Sequence, residues 1–384
     1  MNIGVVCYPT FGGSGVVATE LGKALAKNGH HVHFITYSQP PRLDFFNENV
    51  FYHEVFIPAY PLFQHPPYEL ALSSKMVEVV KNHHLDLLHV HYAIPHASAA
   101  FMAKQILLTQ GIHIPIITTL HGTDITLVGK DPSFEPVVTF SINASDGVTA
   151  VSESLRRDTY EQFAVEPEKI EVIPNFVDLD RFKRQNKDHF KRAIAPNGEK
   201  IVLHISNFRK VKRIEDILRM FSILRKDIPV KLLLVGDGPE RTSLEKKARD
   251  LCGGSDIRFL GKLDAIEEIL SIADLFVMPS EKESFGLAAL EAMACQVPII
   301  SSNAGGIPEV NIQGVTGFLS EIGDYENMAR NAAYVLQDDQ LPVFRANALA
   351  RAQQFDIHSI LPRYEILYQK VVAKTASLPT YSVL

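Results

Sequence analysis

The sequence predicts an α/β protein made of two doubly wound parallel sheets in tandem. Short β-rich runs alternate with helically periodic segments from end to end, and the alternation restarts near mid-chain. In addition, 384 residues exceed what one ordinary core organises. A hydrophobic fraction of 46% against 21% charged residues supplies apolar material for two globular cores.

The first half carries seven strand-like runs: Ile3 to Cys7, Val32 to Thr36, Val50 to Ile57, Leu85 to Val90, Ile114 to Leu120, Gly147 to Val151 and Ile170 to Ile173. Between the first two, Val17, Leu21, Ala24 and Leu25 recur at helical spacing, and Gly29 stops the helix. A second series begins at Lys200 to Ile205 and continues through Val230 to Val235, Ile257 to Leu260, Leu275 to Met278, Val297 to Ser301 and Gly317 to Leu319. Its first helix shows Ile214, Ile217, Leu218, Phe221 and Leu224 on one face. The basic stretch Asp178 to Glu199 holds no strong strand and reads as a connector with local helix, so the boundary falls near Pro174-Asn175. The expected domains are 1–173 and 174–356. Residues 357–384 form a last helix, about Ile357 to Lys374, that packs back across the boundary, with a frayed tail after Ser377. Two such sheets would bind ligands at their strand C-terminal edges, facing a cleft.

A net charge of -6 argues against a nucleic-acid partner. Cys7, Cys252 and Cys295 are odd in number and lack metal-ligand spacing, which fits a reducing cytoplasm rather than a disulfide framework. The N-terminus has no basic n-region, and no apolar run approaches 18 residues. Lys23 and Lys27 on the first helix are thin support for a membrane-surface helix, so no stable membrane association is expected. Homo-oligomer formation stays open.

Glu283-Ser-Phe-Gly-Leu-Ala-Ala-Leu-Glu291 sets two carboxylates astride a helix start in a nearly charge-free segment. Ser284 reads as the N-cap, leaving the amides of Phe285, Gly286 and Leu287 for an anion such as phosphate. Leu287 to Cys295 is apolar nearly all round, so Glu291 is expected to be buried and to need a partner. The two carboxylates span at most roughly 12 Å, the length scale of a nucleotide sugar. As a bare pattern, two glutamates on a helix surface remain the plain alternative.

Gly12-Gly13-Ser14-Gly15 follows the first strand where a dinucleotide fold places phosphate-binding glycines, and Gly13 and Gly15 would let a backbone approach a ligand closely. The spacing is not that of the dinucleotide fingerprint, and Thr36-Tyr37-Ser38-Gln39 offers no acid after the second strand, which disfavours NAD and a dehydrogenase. Thr118-Thr-Leu-His-Gly-Thr-Asp124 brings His121 to a strand end, although a lone histidine is more often structural. His89 and His91 share one face of the fourth strand and read as a hydrogen-bonded edge rather than a metal pair. Phe208-Arg-Lys-Val-Lys-Arg213 places up to four cations before a helix, suited to diphosphate, with a solvated charge run as the alternative. Val235-Gly-Asp-Gly-Pro239 is a tight turn with room for a flat base. Asp178-Leu-Asp180 spells a metal motif but sits in the connector and reads as coincidence.

In this order, the Gly-Gly-Ser-Gly loop, His-Gly-Thr-Asp, the basic run, Val-Gly-Asp-Gly-Pro and Glu-x7-Glu resemble the family-4 retaining glycosyltransferases over nearly the whole chain. The resemblance implies a glycosyltransferase-B fold, with the donor on the C-terminal domain, the acceptor on the N-terminal one, and no cofactor or required metal. It also implies that Glu283 contacts donor-sugar hydroxyls, Glu291 the ribose, Phe285 to Leu287 the phosphates, and Gly236 and Leu263 the base. The common pattern has Arg where this chain has Asn207; Lys212 matches the family lysine, and Arg209 stands in for the lost guanidinium.

Residues 63–72, His89 to Ala97 and Ile205 to Arg213 are similar to a bacillithiol-forming subgroup that transfers N-acetylglucosamine from UDP-N-acetylglucosamine to the hydroxyl of L-malate with retention. In that reading His121 positions donor and acceptor, while Ser14, Tyr92, Thr119, Thr123 and a cation from Arg42 or Lys75 receive the malate. Domain closure about Pro174-Asn175 is expected as well. The competing readings are a family-4 enzyme with another small-molecule, lipid or polysaccharide acceptor, and a non-catalytic nucleotide-sugar-binding protein.

Overall fold

The computed structural model describes residues 1–10, 12–43, 48–57, 65–252 and 256–377. Phe63 and Gln64 of the segment 63–72 and the tail beyond Ser377 lie outside the described residues. The chain divides into two units, Met1–Asn175 with Ile357–Leu384, and Phe176–Asp356.

The first unit begins with β1 (Asn2–Val6), α1 (Gly13–Lys27), β2 (His31–Thr36), β3 (Val50–Glu54) and α2 (Tyr68–His83). It continues with β4 (Leu87–His91), α3 (Ser98–Leu108), β5 (Ile116–Leu120), α4 (Glu135–Ala144), β6 (Gly147–Ala150), α5 (Glu153–Gln162) and β7 (Ile170–Val172). These strands form one sheet in the order β3-β2-β1-β4-β5-β6-β7, with every neighbouring pair parallel. β4 and β5 are buried at every residue, because a parallel sheet is covered on both faces. β3 is shorter than the run Val50 to Ile57, since the last pair in register with its only neighbour is Thr36 with Glu54.

The second unit contains α6 (Asp188–Ile194), β8 (Lys200–Ile205), α7 (Ile214–Leu224), β9 (Val230–Val235), α8 (Arg241–Cys252), β10 (Ile257–Gly261) and α9 (Ile266–Ile272). Then follow β11 (Leu275–Met278), α10 (Leu287–Ala294), β12 (Ile299–Ser302), β13 (Gly317–Ser320), α11 (Tyr325–Val335) and α12 (Leu341–Gln353). Its sheet runs β10-β9-β8-β11-β12-β13, again all parallel. β12 starts at Ile299 rather than Val297 because Pro298 cannot donate to a ladder. The face of α7 read from the sequence packs with Val202, Leu232 and Leu234 of the strands.

The last helix, α13 (Ile357–Ala376), belongs to the first unit. Its Tyr364 and Tyr368 are fully buried there, and Tyr368 Oη lies 2.7 Å from His89 Nδ1. Both sheets therefore reverse their strand order once, between β1 and β4 and between β8 and β11. At such a reversal consecutive crossovers leave in opposite directions and open a crevice at the strand C-termini. Among the described residues no helix is long and apolar enough to cross a membrane.

Candidate active site

In the second unit the loops leaving β8 and β11 meet through Lys212, whose Nζ donates to Glu283 Oε2 at 2.6 Å. The backbone holds them there: Glu281 N–H donates to the Val211 carbonyl at 2.9 Å, inside the short turn Lys210–Lys212. Both side chains keep about a fifth of their surface open, 20% for Lys212 and 19% for Glu283. Arg213 turns away to Asp216 at 2.6 Å, leaving Arg209, Lys210 and Lys212 of the basic run. Arg209 and Asn207 are exposed, and Arg209 forms no ion pair among the described residues.

The Gly-Asp-Gly turn after β9 stacks on this loop. A Cβ on Gly236 (φ 124°) would sit 1.8 Å from the Ser206 carbonyl oxygen, and one on Gly238 would sit 2.7 Å from the Phe208 backbone. These glycines thus serve loop-on-loop packing first, sealed by Phe208 N–H to the Asp237 carbonyl at 3.0 Å. Gly236 N–H also donates to Gly261 O at 2.7 Å, two residues before the half-buried Leu263.

The helix after Glu283 departs from the sequence reading. Ser284 is not its N-cap: α10 starts at Leu287, and Gly286 caps it in a left-handed conformation (φ 97°) with no side-chain hydrogen bond. The cause lies twenty residues on. Cβ atoms on Gly305 and Gly306 would stand 2.1 and 2.2 Å from the carbonyl oxygens of Glu283 and Ser284. Gly306 N–H donates to Glu283 O at 2.9 Å. This backbone-on-backbone contact holds residues 283–285 out of the helix and moves the open amides to the turn beginning at Leu287. Phe285 faces the interior, edge-on to Phe355 with ring centroids 5.6 Å apart. Glu291 is buried, as expected. Burial, with Glu291 one turn away, pushes the Cys295 thiol up to about 12. Asp178 accepts the Asp180 amide at 2.9 Å, so the Asp-x-Asp letters cap a turn.

In the first unit the loops leaving β1 and β4 meet in the same way: Tyr92 Oη donates to Ser14 Oγ at 2.7 Å. Tyr92 has φ 89°, a strained value for an aromatic residue, fixed by its N–H donating to Thr119 O at 2.9 Å. Thr123, in the loop after β5, is exposed. Asp124 ties the loop after β5 to the loop after β4, accepting from Gly122 N at 3.0 Å and Ala93 N at 2.9 Å. Burial nevertheless raises its carboxyl to about 6.

His121 pairs through Nε2 with His91 Nδ1 at 2.8 Å. His91 stacks between His89 and His121, with centroids 4.5 and 5.1 Å away, and its buried Nε2 has no hydrogen-bond partner among the described residues. Burial pushes His121 down to about 3, so its imidazole is neutral near pH 7.

Several site candidates are placed differently from the sequence reading, the acceptor candidate Thr119 and the donor candidates Gly13 and Gly15 among them. Thr119 is fully buried, its hydroxyl 2.7 Å from both His89 Nε2 and Thr149 Oγ1, so it supports the histidine row and touches no ligand. Gly15 owes its lack of a side chain to the Thr10 and Tyr8 carbonyls, 2.4 and 2.6 Å from where a Cβ would lie, not to a ligand. Gly13 is the first residue of α1, whose N-terminus has neither a side-chain cap nor an acid in its first turn. Arg42 lies 3.9 Å from Glu20, and Lys75 is paired with Glu78 at 2.8 Å on α2. The structure links Ser14 to Tyr92, whereas Arg42 and Lys75 lie beside Glu20 and Glu78. Gly305 and Gly306 were missed in the sequence, though a glycine pair just after a strand was the signal available.

Two doubly wound parallel sheets, each with polar and charged side chains converging at its reversal point, define the glycosyltransferase-B class. The solved structures agree in fold. HepE of Anabaena in complex with UDP and glucose superposes with a TM-score of 0.80 at 21% identity, covering 98% of this chain and 100% of that one. Sucrose-phosphate synthase from Thermosynechococcus elongatus gives 0.78 at 24% identity, covering 97% and 100%. Residues 11–181 match Glycosyltransferase Family 4, and residues 185–352 match Glycosyl transferases group 1. The N-acetyl-alpha-D-glucosaminyl L-malate synthase of Bacillus anthracis is 47% identical over 379 residues, 97% of either chain. A sulfoquinovosyl transferase of Arabidopsis thaliana is 27% identical over 72% of this chain and 55% of its own. The chain belongs to glycosyltransferase family 4 and is a glycosyltransferase.

Proposed function

We propose that this protein transfers N-acetylglucosamine from UDP-N-acetylglucosamine to the hydroxyl of L-malate with retention, the first step of bacillithiol biosynthesis, in a reducing cytoplasm. The observation that carries this reading is the 47% identity, over 97% of both chains, to the synthase named for that product. The second unit takes the donor and the first unit the acceptor.

Lys212, Arg209 and the open amides at the start of α10 oppose the charge that develops on the leaving diphosphate. Glu283 holds donor-sugar hydroxyls and Glu291 the ribose. Without donor, Lys212 and Glu283 neutralise each other at 2.6 Å; an arriving diphosphate competes for the ammonium and frees the carboxylate for the sugar. The acceptor hydroxyl attacks from the leaving-group side, and the departing phosphate oxygen takes its proton, so no carboxylate nucleophile is needed. Neutral His121 orients the reacting groups through a hydrogen bond. Malate, with two carboxylates, is received by the uncapped start of α1, Ser14, Tyr92 and Thr123, with Lys75 or Arg42 once released from its carboxylate.

The test is UDP release from purified protein with UDP-N-acetylglucosamine, with and without L-malate and with and without chelator. A malate-dependent, chelator-resistant rate is expected. A rate that does not depend on malate overturns the acceptor assignment, and loss of the rate with chelator overturns metal-independent transfer.

A further inference from the structure

Three imidazoles from three separate elements converge at the edge of the first unit's sheet. His33 comes from the interior of β2, His53 from edge strand β3, and His83 is the last residue of α2. One ring nitrogen of each lies within 4.8 Å of the other two. His33 Nδ1 and His53 Nε2 face each other at 2.9 Å. Their rings stack at 5.2 Å with an interplanar angle of 16°, and the His83 ring closes the group at 4.7 and 4.9 Å. Among the described residues the three rings make no other side-chain hydrogen bond.

We propose that His33, His53 and His83 form a binding site for one transition-metal dication of the zinc type, apart from His121 and its neighbours. Tetrahedral zinc with imidazole bonds of about 2.0–2.1 Å needs nitrogens about 3.4 Å apart, wider than the 2.9 Å between His33 Nδ1 and His53 Nε2 and inside the 4.8 Å that bounds all three. A small rotation of one ring opens the closer pair. Three imidazole nitrogens with an open fourth position for water suit zinc, copper or nickel, and disfavour magnesium or calcium, which prefer oxygen. The purely aromatic alternative leaves a single His33–His53 hydrogen bond and, among the described residues, no side-chain hydrogen bond for the His83 ring. A dication would engage all three nitrogens at once.

The charged groups facing the site nearly cancel. Lys75 and Glu78 of α2 both act on His53 and pair with each other at 2.8 Å. His31, the remaining neighbour, is turned to Asn2 at 3.1 Å. The ion would tie edge strand β3 to the end of α2, closing an edge that otherwise has one neighbour. β2 is three strand spacings from β5, roughly 14 Å, which separates this site from His121.

Tag-free, full-length protein, stripped with chelator, is titrated with Zn2+ by equilibrium dialysis and with Co2+ by visible absorption. One Zn2+ per chain, visible Co2+ bands of low-coordinate geometry and a rise in Tm with Zn2+ are expected. His53→Gln and His83→Gln each weaken binding by about 100-fold or more, while exposed His189→Gln binds as the parent does. Circular dichroism without metal checks that the variants fold. Less than a tenth of an equivalent bound, or parental affinity in both ligand variants, overturns the site. UDP release in the presence of chelator reports on the transfer reading independently.

Discussion

Lys212 and Glu283, 2.6 Å apart, join the loop after β8 to the loop after β11 at the one reversal of strand order in their sheet. Tyr92 and Ser14, 2.7 Å apart, join the loops after β4 and β1 at the equivalent reversal in the other unit. Each half of the chain thus carries a side-chain hydrogen bond across its strand-order reversal.

Lys212→Ala removes the cation set against the diphosphate and leaves Glu283 unpaired. Turnover is expected to fall roughly 100- to 1000-fold, about 3 to 4 kcal/mol of transition-state stabilisation. Arg209→Ala, at an exposed position, lowers it about tenfold. Steady-state UDP release decides, and parental kcat in both variants removes these residues from the mechanism.

Gly305→Ala and Gly306→Ala each drive a methyl into a carbonyl oxygen of Glu283 or Ser284, so residues 283–287 must move. We expect at least a tenfold loss of kcat/KM for the donor, with folding retained and Tm lowered by several degrees. Titration with UDP and thermal melts separate the two effects. Parental UDP affinity in both variants would show that the glycine pair does not set the loop.

Tyr92→Phe, Ser14→Ala and Lys75→Ala are expected to raise KM for malate about tenfold while leaving kcat near parental, since they bind the acceptor without stabilising the leaving group. A fall in kcat at unchanged KM would reassign these residues to the chemical step.

Acid should weaken the fold. Burial holds His89 and His121 at about 3, His96 and His204 at about 4, and His91 well below the usual 6.5. From pH 6.5 down to about 4 the unfolded chain takes up protons that the folded chain refuses. Stability is therefore complete above 6.5 and declines on acidification, by on the order of 1 kcal/mol per pH unit for each imidazole. Asp124, raised to about 6, opposes this between pH 6 and 3.8, but as a single carboxyl. Urea midpoints at pH 7.5 and 5.5 test the sum; a midpoint at 5.5 equal to or above that at 7.5 contradicts it.

Strands such as Lys200–Ile205 and Leu275–Met278 were legible to the residue, because buried parallel strands are continuous β-branched and apolar runs bounded by polar turns. The lysine, glutamate and glycine letters at the strand ends of the second unit were legible too, since they keep their chemistry wherever the chain carries them. The cap of α10 was not. Ser284 has the right chemistry, but Gly305 and Gly306 decide its backbone from twenty residues away. Thr119 failed for a related reason: period two says that it alternates with Thr118, not that His89 and Thr149 take its hydroxyl.

The sequence by itself determined the elements, their duplication into two α/β series and the side-chain chemistry at their ends, all of which depend on local propensity and periodicity. Tertiary structure alone decided that β1 lies beside β4 and β8 beside β11, and so which loops share a crevice. It also decided that Tyr368 of α13 reaches His89 of β4, 279 residues away in sequence. Those pairings are set by crossover handedness and by burial summed over a whole core, quantities that no local stretch of residues contains.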